Sequence, residues 1–351
     1  MLKRKKVYDE KWYFLFFTAI FAIVMILDVA RHKFYEGVIT LLVIATIVAI
    51  RSSMLNTGVV PTSEEYTLSP VALFVDSFEA KHPIIAALAI FALVMHASLR
   101  LARSTVRFNI YGAASMAAIS LTALLIAGMG IGEHTLRIML IASLTAESIG
   151  RLFYCLGPNM RLHYLFTAML SLGITPLLDG SMLAMVILAL LLILTLRSNP
   201  REMVTTIAAL TLPMFAYCYI RWCMGLGFGT SAMELWHGML QPSTIDITEY
   251  FDIKRLILLG VLLFLTLCSA FLYRSERLSM SRTTRNIWGV MQATMLILIP
   301  TFAFLPSTSA ASMVVLSIIA ATMIPIFFVK MGTIVSLSCY IALIVLTLIV
   351  M

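Results

Sequence analysis

Charged side chains are scarce in this sequence: only 12% of its 351 residues are Asp, Glu, Lys or Arg. Hydrophobic residues make up 61%, and the mean hydropathy is +1.00. Because a soluble domain carries about 25% charged residues, this composition excludes a water-soluble fold. The apolar residues form long continuous runs rather than the short alternating segments of a membrane barrel. The sequence therefore predicts an all-α fold, a polytopic bundle of transmembrane helices.

The residue patterns of common cofactor and metal sites are also missing. The five cysteines lie in or beside apolar segments and form no CxxC or Cys/His cluster, so the sequence predicts neither a disulfide framework nor a zinc site. No Walker, Rossmann or EF-hand pattern occurs. We therefore predict no cofactor and no metal. Whether the protein is an enzyme stays open at this level.

What the sequence does contain is a patterned excess of basic residues, with a formal net charge of +8. These residues lie in short loops between apolar segments, and Lys and Arg of short loops are retained on the cytoplasmic side of a membrane. The pattern predicts contact with a lipid bilayer, including anionic headgroups, and no nucleic-acid partner. The basic loops hold Arg100, Arg103 and Arg107, then Arg151 and Arg161, then Arg197 and Arg201, then Arg274, Arg277, Arg282 and Arg285.

We predict eleven or twelve membrane spans, since a spanning helix needs roughly 20 apolar residues. Segment 12–30 either crosses the membrane or lies in its interface, because basic clusters flank it on both sides. Residues 1–33 thus form an extra N-terminal hydrophobic segment, and residues 34–351 form a single multi-span domain with its C-terminus outside. The candidate spans are 12–30, 34–54, 83–99, 109–131, 137–156, 163–179, 181–196, 203–225, 256–273, 287–305, 310–329 and 331–350.

Several short motifs resemble a known group of sequences. They are Leu68-Ser-Pro-Val-Ala-Leu-Phe before a His82-Pro83 helix start, Arg151-Leu-Phe, Arg197-Ser-Asn-Pro-Arg-Glu202 and Leu212-Pro-Met-Phe-Ala-Tyr217. With them, the stretch from about Phe34 to Gly225 resembles an uncharacterised family of polytopic inner-membrane proteins from Bacteroidetes-type bacteria. The resemblance implies a multi-pass protein of the bacterial inner (cytoplasmic) membrane. It implies no activity.

The first long outside loop, 55–82, contains a helical pattern. Asp76 and Glu79 fall on a different face from the apolar residues of this pattern, as expected for a short helix that lies on the membrane surface. In the second long loop, 227–255, Trp236 and His237 suit an interfacial belt, and the acidic run from Asp246 to Asp252 is predicted to be solvated. The apolar residues at helical spacing in the first loop are Val71, Phe74, Val75 and Phe78.

Glu147 is the clearest ionisable residue inside an apolar span, and such residues are candidates for function because their burial is costly. Arg151 follows one turn later, a spacing that favours an ion pair on one helix. The pair either neutralises itself, with Arg151 reaching the membrane surface, or faces a cavity where Glu147 carries a proton or holds a cationic group. We treat both residues as candidate substrate-binding residues.

Arg221 lies near the predicted outer end of span 203–225, beside Tyr217, Tyr219 and Trp222. An arginine among aromatic residues can hold a phosphate or pyrophosphate headgroup in a bidentate manner. It can equally extend towards water within an aromatic belt. Both interpretations stay open, and Arg221 and Tyr217 are the second pair of candidate substrate-binding residues.

Glu64 and Glu65 open the first outside loop, just after a span that runs outward. Multi-span glycosyltransferases that use polyprenyl-phosphate donors keep a catalytic carboxylate in the equivalent loop, before a surface helix. There the carboxylate acts as general base on the acceptor. The likeness is one of architecture, and on this hypothesis Glu64 and Glu65 are the catalytic residues.

We expect the protein to be a non-enzymatic component of cell-envelope lipid or glycan traffic, as a carrier or an assembly subunit. No catalytic signature occurs, and the short loops leave no room for a soluble catalytic domain. The expected partners are the lipid bilayer, a lipid-linked glycan or other membrane proteins. The alternative is the multi-span glycosyltransferase, with Glu64 or Glu65 as its base.

Overall fold

The structure, a computed structural model, is built from helices. It describes residues 41–50, 70–111, 117–130, 134–156, 162–183, 185–187, 189–190, 199–240, 253–304 and 310–350, and no strand occurs among them. A single 3₁₀ turn covers Gly180–Met182. In chain order the α-helices are α1 (Leu41–Ile50), α2 (Pro70–Lys81), α3 (Pro83–Arg107), α4 (Ala117–Gly130), α5 (Thr135–Cys155), α6 (Leu162–Leu178), α7 (Pro200–Cys223), α8 (Phe228–Leu240), α9 (Ile253–Glu276), α10 (Arg282–Phe304), α11 (Ala310–Met323), α12 (Pro325–Lys330) and α13 (Thr333–Val350).

Within the described residues, five helical segments are long and apolar enough to cross a membrane. They are α3, α5, α7, α9 and the continuous segment Ala311–Lys330, which joins α11 to α12. The prediction of an all-α fold is therefore confirmed for the described residues, and these five segments have the length and composition that the predicted membrane spans require. The number of eleven or twelve crossings stays a prediction, and segment 12–30 lies outside the described residues.

Proline and asparagine explain where two of these helices begin. α3 and α7 carry proline in their first turn, where the missing N–H costs nothing and the fixed backbone angle suits a helix. At α7 the side chain of Asn199 also accepts a hydrogen bond from the backbone N–H of Arg201 (3.2 Å). This contact satisfies one of the free N–H groups at the helix start.

The centre of the bundle is formed by α4 and α11, which pack against each other and are buried on all sides. A helix that is apolar all round belongs in a core, and neither of these contains a charged residue. Their hydroxyl groups bond to their own backbones: Thr122 donates to the carbonyl of Ala118 (2.6 Å) and Ser317 to that of Val314 (2.7 Å). The hydroxyl groups of Thr122 and Ser317 therefore have hydrogen-bond partners although they are buried in the core.

The helices α3 and α5 lie side by side and run in the same direction. In chain order, α4 connects them. His96 contacts Ser143, Arg100 contacts Glu147, and the Ser104 hydroxyl approaches the carbonyl of Gly150. A Cβ on Gly150 would lie only 3.0 Å from Ser104 Oγ. Gly150 therefore permits the close approach of the two helices beside Arg100.

Loops rich in arginine meet at one end of the bundle, which we call the basic end. There the indole N–H of Trp288 donates to the carbonyl of Ile110 (3.1 Å), and the hydroxyl of Thr284 donates to that of Phe108 (3.2 Å). The Tyr111 hydroxyl donates to the carbonyl of Thr322 (2.9 Å). The loop after α3 is thus fixed against the start of α10.

The opposite end, which we call the acidic end, carries the start of α5, the helix α2 and the 3₁₀ turn. Ser181 in that turn bonds to Ser312 at the start of α11 (3.2 Å between the hydroxyl oxygens). Asp179 caps the turn by accepting from the N–H of Ser181 (2.9 Å). Asp179 is only 5% exposed, because the turn packs inside the bundle.

Two expectations for the long loops are corrected. Part of segment 227–255 is the helix α8, and the sequence analysis assigned no helix there. In the first loop the predicted helix is present as α2, but its acidic side chains do not face water. Asp76 is 6% exposed and Glu79 is 3% exposed, whereas Phe74 is 70% exposed. The reason is that basic and N–H groups at the start of α5 bind both carboxylates.

Candidate functional site

Glu147 lies at the centre of an ionic cluster between α3 and α5. Its carboxylate contacts Arg151 one turn further along α5, Arg100 Nε at 2.7 Å and His96 Nε2 at 3.6 Å. His96 is fixed in turn, since its Nδ1 is hydrogen-bonded to the Ser143 hydroxyl at 2.8 Å. The side chain of Glu147 is only 14% exposed, so these contacts replace most of the water around the carboxylate.

Arg100 changes the charge of this site. The sequence suggested that Glu147 and Arg151 neutralise each other, but one carboxylate here contacts two guanidinium groups. The cluster therefore keeps an excess positive charge, and it favours an anionic partner more than a cationic one. Sequence reasoning predicted the Glu147–Arg151 contact from its spacing. It missed the contribution of Arg100, which comes from a different helix.

Tyr154 extends the cluster towards the basic end. The guanidinium carbon of Arg107 lies 4.7 Å from the centre of its ring and that of Arg100 lies 6.0 Å away, distances at which cations are attracted to an aromatic ring. Arg107 also approaches the Tyr154 hydroxyl (3.4 Å). Tyr164 at the start of α6 stacks on the other side of this residue, with ring centres 4.9 Å apart. Tyr154 thus contacts two arginine side chains of the last turns of α3.

A second ionic cluster joins α2 to the start of α5 at the acidic end, and the sequence analysis did not find it. Asp76 Oδ2 lies 3.1 Å from His134 Nδ1 and 3.2 Å from Arg137 Nη1. The Arg137 side chain is 1% exposed, although it belongs to an apolar helix. Both carboxylate oxygens of Asp76 and two nitrogens of Arg137 lack a well-aligned hydrogen bond, so the pair is held mainly by charge.

Glu79 binds the first turn of α5 directly. Its two carboxylate oxygens accept from the backbone N–H of Leu136 at 3.2 and 3.1 Å. A carboxylate at a helix N-terminus satisfies a free N–H and is favoured by the helix dipole. His134 precedes this turn in the left-handed region (φ 58°). The only signal in the sequence was the pair Asp76 and Glu79 on one face of α2.

Arg221 forms a third and more exposed group at the acidic end. It contacts Glu234 of α8 and donates to the hydroxyl of Tyr217 at 3.1 Å. Its side chain is 20% exposed and that of Glu234 is 55% exposed. The exposed rings of Tyr219 and Trp222 contact each other, with 5.8 Å between their centres. Arg221 already has an acidic partner, which the sequence analysis did not assign, and this contact holds α8 against the end of α7.

The remaining candidate residues, Glu64 and Glu65, lie outside the described residues. The described part of the chain contains no group of three or more His, Cys, Asp or Glu side chains that could hold a metal ion. No protein-family model, curated protein or solved structure matches this chain. The resemblance to an inner-membrane family therefore stays a prediction, and function must be argued from the two buried ionic clusters.

Proposed function

We propose that the protein is an integral membrane protein of the bacterial inner membrane and a non-enzymatic component of cell-envelope lipid or glycan traffic. Of the two roles considered, carrier and assembly subunit, we favour the carrier. The observation that supports this choice is that α5 is joined to neighbouring helices near both of its ends by ionic contacts. Asp76 binds Arg137 at one end, and Arg100 binds Glu147 nearer the other.

Ionic contacts near the two ends of one helix suit a carrier because each can open while the other stays closed. Arg137 and Glu147 are ten positions apart, about 15 Å along a helix at 1.5 Å per residue. Ionisable residues inside membrane helices mark substrate or ion pathways, since their burial is otherwise costly.

Prolines in or at the start of helices also support the carrier proposal. Pro176 lies within α6, Pro213 lies within α7, and Pro325 begins α12. A proline inside a helix frees a carbonyl four residues earlier, and interrupted helices line the substrate sites of many transporters. On this proposal the basic end faces the cytoplasm, the chain crosses the membrane eleven or twelve times, and the C-terminus lies outside.

A multi-span glycosyltransferase with a lipid-linked donor is the second candidate. The observation that favours it is α2, a helix that directly follows the segment with Glu64 and Glu65, as in the architecture of such enzymes. On this hypothesis one of these carboxylates is the general base. A double variant that keeps the side-chain size but removes both charges, Glu64→Gln with Glu65→Gln, would then lose all activity, while a carrier would tolerate it.

The lipid-linked glycans of a deletion strain test both candidates. A carrier predicts that a complete lipid-linked glycan accumulates, and that the wild type and the Glu64→Gln, Glu65→Gln variant both restore normal levels. The carrier further predicts that Glu147→Gln fails to restore them although it is present in the membrane. A glycosyltransferase predicts an unextended acceptor that only the wild type corrects. An unchanged lipid-linked glycan profile would contradict both proposals.

A further inference from the structure

The basic end contains more arginine than the internal ion pairs require. Arg100, Arg103 and Arg107 follow one face of α3, at spacings of three and four residues, and Arg151 lies on the facing side of α5. We call these four residues the arginine cluster. Within the described residues, Glu147 is the acidic side chain that contacts this cluster, so its four positive charges exceed the one negative charge by three.

We propose that the arginine cluster is a binding site for the phosphate group of an anionic membrane lipid. The proposal deepens the carrier function, on which it rests for its biological meaning, by naming the chemical class of the ligand. Guanidinium groups bind phosphate through two parallel N–H donors, which makes arginine the preferred residue for this group. Basic sites between transmembrane helices are typical places for anionic headgroups.

The helical geometry favours a lipid over a soluble phosphate. α3 has 25 residues, about 38 Å at 1.5 Å per residue, whereas the hydrocarbon core is about 30 Å thick. The last turns of α3 therefore extend from the edge of this core into the headgroup layer. Arg103 and Arg107 are both exposed there. A phosphate attached to acyl chains is the anion that is present at this depth.

Glu147 and Tyr154 prepare the site before a ligand arrives. Glu147 holds Arg100 and Arg151, which are only 23% and 30% exposed, so these two side chains are already positioned. Tyr154 places the guanidinium of Arg107 against its ring at 4.7 Å. A site whose side chains are fixed in advance loses less conformational entropy on binding. Glu147 and Tyr154 are positioning residues, and the arginines contact the phosphate.

Binding to the purified full-length protein in a neutral detergent tests the proposal. Native mass spectrometry would be used to titrate the protein with dioctanoyl phosphatidylglycerol, with dioctanoyl phosphatidylcholine and with inorganic phosphate. The variant is Arg103→Gln with Arg107→Gln. The matched control is Arg274→Gln with Arg277→Gln, which removes two exposed arginines of the same end and the same net charge.

We expect the wild type to bind phosphatidylglycerol at least tenfold more tightly than phosphatidylcholine, and the Arg103/Arg107 variant to lose at least tenfold in affinity. The control variant should stay within twofold of the wild type. Equal loss in both variants would overturn the site, since it would reflect only general charge attraction. Equal affinity for the two lipids would also overturn it. Displacement of the lipid by equimolar inorganic phosphate would overturn the assignment to a lipid.

This experiment is independent of the proposed traffic function. If the purified protein binds the lipid but the deletion strain has a normal glycan profile, the lipid-binding site is supported and the proposed carrier function is contradicted. If the glycan profile is altered but the protein shows no preference for the anionic lipid, the carrier function is supported and the lipid-binding site is contradicted.

Discussion

Arg137 and Asp76 meet at the acidic end of the bundle with 3.2 Å between Nη1 and Oδ2, and both side chains are almost completely buried. The contact fastens the short helix α2 to the first turn of a helix long enough to span a membrane. Such a pair is weak evidence for net stability, because removing two charges from water is costly. Removing only one of the two charges is destabilising, since the remaining charge then stays buried without this partner.

We therefore predict that Asp76→Asn lowers the free energy of unfolding by about 3–5 kcal/mol, the usual cost of removing one member of a buried pair. The double variant Asp76→Asn with Arg137→Met should recover most of this loss, because no buried charge remains. Thermal unfolding of the purified protein in detergent measures both. A double variant that is as unstable as the sum of its two single changes would contradict this account.

Glu147 should matter more for stability than Arg100. Glu147→Gln deprives two half-buried arginines of their carboxylate and should cost about 1–3 kcal/mol, the penalty for leaving charged groups unsatisfied. Arg100→Gln should cost less, since Glu147 keeps Arg151. The same unfolding measurement compares them. If Arg100→Gln proved the more damaging change, the shared-carboxylate arrangement would be wrong.

Gly173 allows α6 and α7 to pack backbone against backbone. A Cβ at this position would lie 2.6 Å from the carbonyl oxygen of Leu210, closer than real Cβ atoms approach a backbone. Gly173→Ala should thus destabilise the protein by about 1–3 kcal/mol through overpacking. Gly260→Ala is the control, because no atom lies within 4 Å of its Cβ. We expect the control to be neutral or stabilising by up to about 1 kcal/mol, since alanine favours a helix.

The proposed orientation predicts which exposed positions react with a membrane-impermeant thiol reagent in intact cells. In a Cys223→Ser background, Gly229→Cys at the acidic end should be labelled. Ser279→Cys at the basic end should react only after the membrane is made permeable. Both native residues are exposed, so accessibility to water is matched. Labelling of Ser279→Cys in intact cells would overturn the orientation.

Local patterns account for what the sequence predicted well. The apolar runs 83–99, 137–156 and 256–273 correspond to spanning helices because hydrophobic length alone is the signal. The Glu147–Arg151 contact follows from residues one helical turn apart. The helix α8 was missed because its segment, between a glycine-rich turn and an acidic stretch, contains no long apolar run and was interpreted as a loop.

The clusters could be predicted only in part, because their other members are distant along the chain. Nothing near Glu147 indicates that Arg100 of another helix would reach the same carboxylate. Likewise, Asp76 and Glu79 have the pattern of a solvated face, and only the docking of α2 on α5 reverses it.

The sequence by itself determined that this protein is helical and that several of its helices are long and apolar enough to cross a membrane, because the transfer of long apolar runs from water dominates all local preferences. It also separated basic from acidic loops. Only the tertiary structure decided which charges meet: Asp76 with Arg137, and Glu147 with both Arg100 and Arg151. The physical reason is that a charge inside a membrane protein is tolerated only beside a partner. The packing of helices that are far apart in the sequence determines which partner each charge has.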